Sequence, residues 1–367
     1  MKTDKTYQKI MSFPNLYASY RQIRRGKRNN GRQQKFEFNL ERNLIKIQKR
    51  LENPHKFKPK KYTRFIVTEP KIRKISAPSF EDRIIYQAIF RVIEPPIRKK
   101  FFIPTTYACI KDRGTHKAIK DIQKTLQKLD TDSFFLKCDM RHYFSSINHT
   151  TLKQIIKKTL KDTETITLLE RIIDSYEESA DTGLPLGNVT SQLFANLYLS
   201  ELDHFINQRY LHSNFPILFR YMDDFLVLSN SKEELIEIRN KVDEFANKNL
   251  QLTLHPKKVY IQRTSFGIDF CGYRIFSDKI LMRKETLRRY VKKYKKATKK
   301  INDLQNELGM ELFPEINESK KVKINELKER LDNSLNSHLG FLQHSKIDFS
   351  GKFAHSSNIR LPYLTKV

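Results

Sequence analysis

The sequence predicts an α+β fold, on three observations. Short runs of aliphatic and aromatic residues, too brief for helices, recur at 65–76, 134–139, 217–229 and 252–275. Between and after them lie longer segments with apolar residues at helical spacing, such as 39–51, 80–89, 231–250 and everything from 283 onward. The chain has 367 residues, enough for two or three domains and a sizeable core.

The first 60 residues are basic and predicted helical. Tyr7, Ile10, Met11 and Phe13 lie on one arm, and Leu40, Leu44, Ile47 and Leu51 mark one face of another. The basic loop Arg24–Arg32 between them reads equally as a solvated loop or as a phosphate contact. Residues 65–76 read as a strand, a turn at Pro70 and a returning strand, and the bend carries Lys71, Arg73 and Lys74. Three cations on such a hairpin suit a triphosphate, with Arg making bidentate contacts and Lys acting as a point charge. A helix from Phe80 is expected to end near Pro95-Pro96. The loop 107–116 holds Arg113 and Gly114, and Thr115 is the expected N-cap of the next helix.

Phe134-Phe135-Leu136-Lys137-Cys138-Asp139 is an apolar strand ending in an acid, with Tyr143 and Phe144 just beyond. Residues 182–192 form a Gly/Pro loop, read either as a structural turn or as a close backbone approach to a ligand, and a weakly charged helix follows from Leu193. Residues 215–230 read as a hairpin with Asp223-Asp224 at its tip and no Gly at the bend. An Asp pair alone fits a solvated turn. Brought next to Asp139, however, the pair would be a site for hard cations, since Mg²⁺ is held by carboxylates and substrate phosphates. Two such ions bridge the attacking and leaving oxygens of an in-line displacement. After a further helix, residues 266–275 have strand character. From 283 the helix pattern is dense in cations, including Arg288, Arg289, Lys292 and Lys296, as in a helix that tracks a phosphate backbone. A polar link near 314–323 is expected before a last helix through Leu327, Leu331, Leu335, Leu339 and Leu342.

Lys and Arg number 70 against 41 Asp and Glu, a net charge of +29 spread along the chain. That excess favours a nucleic acid over a membrane as partner. No apolar run approaches a membrane span, the start lacks a secretory signal, and the three cysteines are far apart. A reducing, cytoplasmic setting is the expectation.

Asp139 with Phe144, Gly187-x-x-x-Ser191-Gln192, Tyr221-Met222-Asp223-Asp224 and Phe270-Cys271-Gly272-Tyr273, in that order and spacing, resemble the motifs of reverse transcriptases. Upstream, Arg73-x-Ile75-Ser76-Ala77-Pro78 with Asp82, Arg83 and Gln87 resembles the group II intron-like bacterial lineage. Glu69-Pro70-Lys71, Tyr107-Ala108-Cys109, Gly114-Thr115-His116 and Leu186-Gly187 resemble the enzymes of diversity-generating retroelements, and antiviral-defence enzymes share part of the pattern. Most relatives carry Gln in place of Leu186 and Pro in place of Gln192.

The resemblance implies a right-hand polymerase fold. A basic helical extension would span 1–60, fingers 61–133, an antiparallel palm with its helices 134–277, and a helical thumb 278–367. It implies that Asp139, Asp223 and Asp224 hold two Mg²⁺ ions (or Mn²⁺ in their place), with Lys258 as proton donor to the leaving pyrophosphate. Lys71, Arg73, Phe144, Gly187, Gln192 and Tyr221 would line the nucleotide site, with Phe144 excluding a 2′-hydroxyl. Phe270, Cys271, Gly272 and Tyr273 would form the primer grip, while Arg113, Arg288, Arg289, Lys292 and Lys296 would contact nucleic acid. The implied partners are an RNA template, a DNA or RNA primer, dNTPs, a dedicated structured RNA and a small basic accessory protein. The segment after Tyr273 carries no acidic quartet for RNase H and no Cys/His endonuclease motif, so a polymerase alone is implied. A non-catalytic RNA-binding protein on the same scaffold is the competing reading.

Overall fold

The computed structural model describes residues 5–25, 31–68, 71–130, 132–210, 217–308 and 314–342. The expected bend at 69–70, most of the basic loop 24–32, and everything beyond 342 lie outside them.

The chain opens with four helices, α1 (Thr6–Met11), α2 (Phe13–Arg24), α3 (Gly31–Phe38) and α4 (Leu40–Arg50). The hairpin β1 (Thr63–Val67) and β2 (Arg73–Ala77) follows, then α5 (Phe80–Phe101) and α6 (Thr115–Leu126). Next come β3 (Phe134–Asp139), α7 (Tyr143–Ser146), α8 (His149–Thr159), α9 (Thr163–Ile173) and α10 (Val189–Tyr210). The acid hairpin is β4 (Ile217–Tyr221) and β5 (Asp224–Ser229), followed by α11 (Lys232–Leu250) and β6 (Tyr260–Arg263). Three short strands, β7 (Ile268–Phe270), β8 (Tyr273–Ile275) and β9 (Ile280–Met282), lead to α12 (Lys284–Leu308) and α13 (Pro314–Leu342).

Two compact units result, one of residues 1–118 with 133–262, the other of 119–132 with 263–367. The first unit is built on a sheet of order β4-β5-β3-β6, with β5 antiparallel to both β4 and β3. Its central strands are nearly continuous apolar runs because both faces are covered. Leu136, Cys138, Leu218, Phe225 and Val227 join a core completed by α5, α10 and α11. Helix α10 has buried residues on every side, as befits a helix at the centre of a core. The N-terminal helices belong to this core too: Tyr7, Ile10, Leu16, Leu44, Ile47 and Leu51 are buried in it.

Some boundaries differ from expectation. Helix α5 runs through Pro95 and Pro96 instead of stopping there. Both prolines are exposed, while Ile89, Ile93 and Ile97 keep the opposite side buried. Thr115 is already helical, and the Gly114 carbonyl accepts the Ala118 N–H at 3.0 Å. The stretch 314–323 is helix and not a link, with Pro314 at the first helical position, where its missing N–H costs nothing. The strand character expected at 266–275 resolves into a hairpin, β7–β8, turning at Cys271 and Gly272, both at positive φ (49° and 88°).

Candidate active site

The register of the sheet brings the acids together. Antiparallel pairing of β3 with β5 sets Asp139 directly opposite Asp224. Pairing of β4 with β5 sets Tyr221 opposite Asp224, which leaves Met222 and Asp223 as a two-residue turn. The missing Gly at that bend is compensated by Met222, which takes a left-handed φ of 61°.

Two lysines face the acids. Lys258 Nζ donates to both Asp139 carboxylate oxygens at 2.9 Å. Its loop is fixed to the end of β3, with His255 N donating to Asp139 O at 2.8 Å and Arg141 N to Thr253 O at 2.9 Å. Lys137, two residues before Asp139 on the same face of β3, forms an ion pair with Asp224. Burial, then the Asp139 charge, pushes the Asp223 carboxyl up to about 6. Burial also raises Asp224, against the opposing pull of Lys137. Carboxylates held in this way favour a cation that neutralises them.

Among the described residues, no three His, Cys, Asp or Glu side chains form a ready-made metal cage. Asp139 and Asp224 are each engaged by a lysine. The donor set still fits Mg²⁺ chemistry, since that ion is commonly held by one or two carboxylates with water and substrate phosphates completing the shell.

The other expected residues fall as follows. Phe144 is half-buried against the core, edge-on to Tyr143 at 5.7 Å, and its carbonyl accepts the Leu184 N–H at 2.7 Å. Gly187 has φ 108°, and a Cβ there would lie 3.1 Å from Ile75 Cγ2. Ser76 N donates to Leu186 O at 3.1 Å, so the Gly187 loop is tied to β2. Gln192 is half-buried in the first turn of α10. Tyr221 is half-buried, its hydroxyl 3.4 Å from Thr115 Oγ1. Lys71 and Arg73 are exposed on the β1–β2 hairpin.

Arg113, expected on nucleic acid, instead donates through Nη1 to Ile103 O and Thr106 O, both at 2.8 Å. In the second unit, Phe270 and Tyr273 are buried partners flanking the Cys271-Gly272 turn, and Arg283 N donates to Gly272 O at 3.1 Å. Arg288, Arg289, Lys292 and Lys296 are exposed on α12.

Sequence reasoning missed Lys137 and a buried group around Arg220, Asp203 and Asn196. The available signal was a lone cation inside each of two apolar strands, β3 and β4. Such a residue is almost never fully buried without a partner.

Comparison with known proteins identifies the family. Residues 58–275 match the family "Reverse transcriptase (RNA-dependent DNA polymerase)". Protein YkfC of Escherichia coli is 25% identical over 244 residues, covering 56% of this chain and 63% of that protein. The group II intron-encoded protein LtrA of Lactococcus lactis is 25% identical over 270 residues, covering 56% of this chain and 44% of that protein. This chain therefore spans under two thirds of the length of either relative. Apo telomerase from Candida tropicalis superposes with a TM-score of 0.48 at 13% identity, over 61% of this chain and 49% of that one, too distant to add to the argument. With its family match running from the β1–β2 hairpin through the acid-bearing sheet to β8, the chain belongs to the reverse transcriptases and has their right-hand polymerase fold.

Proposed function

We propose that the protein copies RNA into DNA by divalent-metal-assisted nucleotidyl transfer at Asp139, Asp223 and Asp224. The observation that carries this reading is the register that sets Asp139 against Asp224 with Asp223 in the adjoining turn. Bound there, Mg²⁺ (two ions, with Mn²⁺ as a substitute) would lower the cost of ionising a primer 3′-hydroxyl and neutralise the leaving pyrophosphate.

The remaining work belongs to the chain itself. Asp139 would hold metal in place of its Lys258 partner, and the Lys258 ammonium would then be the proton donor to the leaving pyrophosphate. Lys71 and Arg73 bind the triphosphate. Phe144 underlies the sugar and rejects a 2′-hydroxyl, while Gly187 and Gln192 border the base pair and Tyr221 the nucleotide. The hairpin Phe270–Tyr273 grips the primer, and Arg288, Arg289, Lys292 and Lys296 follow the duplex along α12. In this reading 61–133 are fingers, 134–277 palm and 278–367 thumb.

The chain's +29 charge supports RNA template, primer and a dedicated structured RNA as partners. Among the described residues no helix is long and apolar enough to cross a membrane. Leu186 before Gly187 favours a diversity-generating role, with a small basic accessory protein as a further partner. Phage defence is the alternative setting. Sequenced cDNA separates the two: substitutions at template adenines support diversification, and faithful or repetitive copies of one RNA support defence.

The activity itself is tested with purified protein, a primed RNA, dNTPs and Mg²⁺. Extension that EDTA and Asp223→Asn each abolish supports the proposal. RNA binding with no metal-dependent synthesis contradicts it.

A further inference from the structure

Arg220 lies on β4, an outer strand of the site's sheet, yet has no exposed surface. A guanidinium offers five N–H donors, and here all of them are used. Nε donates to Asp203 Oδ1 at 2.7 Å and Oδ2 at 2.9 Å. Nη2 donates to Asp203 Oδ2 at 2.7 Å and to Asn196 O at 3.2 Å. Nη1 donates to Asn196 Oδ1 at 3.1 Å and to the carbonyl of Met222 at 3.0 Å.

The partners are themselves anchored. Thr106 Oγ1 donates to Asp203 Oδ2 at 3.3 Å, and Asn196 Nδ2 to Ala108 O at 2.8 Å. The strand backbone is held too, with Arg220 N donating to Thr105 O and Tyr107 N to Arg220 O, both at 2.9 Å. Arg113 fastens the same 103–106 segment from its other side.

One of these bonds does something that packing does not require. The Met222 carbonyl belongs to the peptide joining Met222 to Asp223, and Met222 is the left-handed residue of the turn. Without a restraint, a non-glycine residue leaves that region readily.

We infer that Arg220, Asp203 and Asn196 form a positioning cluster that fixes the Met222–Asp223 peptide and so aims the Asp223 carboxylate; this rests on the reading of Asp223 as a metal-binding acid. Stability alone does not call for such a cluster, because a buried ion pair is commonly replaced by apolar residues of similar volume without loss. The planar fork explains why the residue is Arg: a Lys ammonium has three donors on one atom and reaches fewer of these acceptors.

The experiment compares wild type with Arg220→Lys, the apolar double variant Arg220→Met/Asp203→Leu, and Asp223→Asn. Thermal melting reports folding, electron paramagnetic resonance reports Mn²⁺ binding without substrates, and primer extension gives kcat and KM for dNTP. The double variant is expected to melt near wild type yet bind Mn²⁺ about tenfold more weakly, with kcat down about tenfold or more and KM within about twofold. Arg220→Lys should show a smaller loss in the same two quantities, partly recovered at raised Mg²⁺. Wild-type Mn²⁺ affinity and kcat in a folded double variant would overturn the inference. If the double variant does not fold, wild-type values in Arg220→Lys overturn it and the expected loss upholds it. Failure of the underlying metal-site reading has a separate signature, namely that Asp223→Asn itself would keep Mn²⁺ binding and extension.

Discussion

Two hairpins of the first unit have opposite constructions. In β4–β5, nearly every residue is buried, the strands continue into a four-stranded sheet, and the turn is clamped by Arg220. In β1–β2, two strands stand alone, with Phe65 48%, Ile66 63% and Ile72 77% exposed. An isolated two-stranded hairpin is marginal in water and gains order only from what it packs against. The acid hairpin therefore holds its atoms at fixed separations, which suits the proposed metal binding. The cationic hairpin has few contacts of its own, which suits the proposed role of closing on an arriving triphosphate. Among the described residues, its backbone is attached by Ser76 N donating to Leu186 O, at its base.

The largest expected effect is on turnover. Asp139→Asn and Asp223→Asn should each cut primer extension roughly a thousandfold or more, with RNA affinity and the folded state retained. Substantial extension by either variant would remove the distinction between the hairpins. Lys71→Ala/Arg73→Ala should behave differently, raising KM for dNTP about tenfold while leaving the melting temperature within about 1 °C, as expected for exposed cations. A large drop in stability would mean that the cationic hairpin is structural after all.

A third comparison concerns the cost of the acid cluster without metal. The Asp223 carboxyl titrates near 6 in the folded chain, against an ordinary value of 3.8. A raised acid contributes stability that is fully present below pH 3.8 and lost as pH rises through about 6. Above that pH its ionised form burdens the fold by on the order of 3 kcal/mol. In EDTA at pH 8, Asp223→Asn should thus melt above wild type, the gap closing as pH falls from 6 towards 4. Saturating Mg²⁺ should narrow or reverse it, because only wild type gains the binding energy. Equal melting at both pH values would place Asp223 in water.

The smallest effect is at the loop tied to the cationic hairpin. Gly187→Ala strains a residue at φ 108° and pushes its Cβ towards Ile75 of β2. A loss of about 1 kcal/mol is expected, read as a fall of a few degrees in melting temperature.

The two acid motifs and both hairpins were legible in the sequence because strand alternation and turn position depend on near neighbours. The adjacency of Asp139 and Asp224 was legible only as a requirement of the chemistry, since strand pairing is set by non-local packing. Arg220 was read as one of an apolar run, because its partners Asp203 and Asn196 lie on α10 and meet it only when that helix packs on β4. The N-terminal helices were read as an extension, whereas Tyr7 and Leu44 are buried in the same core as α5 and α10. Their apolar stripes gave the buried face but not what covers it. The Pro95-Pro96 pair misled for a related reason: the tertiary packing of Ile89, Ile93 and Ile97 holds α5 together through a local helix breaker.

The most direct test of the account is a crystal structure of the protein with primed RNA template, a non-hydrolysable dNTP and Mn²⁺, read by anomalous scattering. The account predicts Mn²⁺ within about 2.3 Å of carboxylate oxygens of Asp139 and Asp223, with Lys258 displaced from Asp139. Anomalous peaks away from these carboxylates, with Asp139 still paired to Lys258, would contradict it.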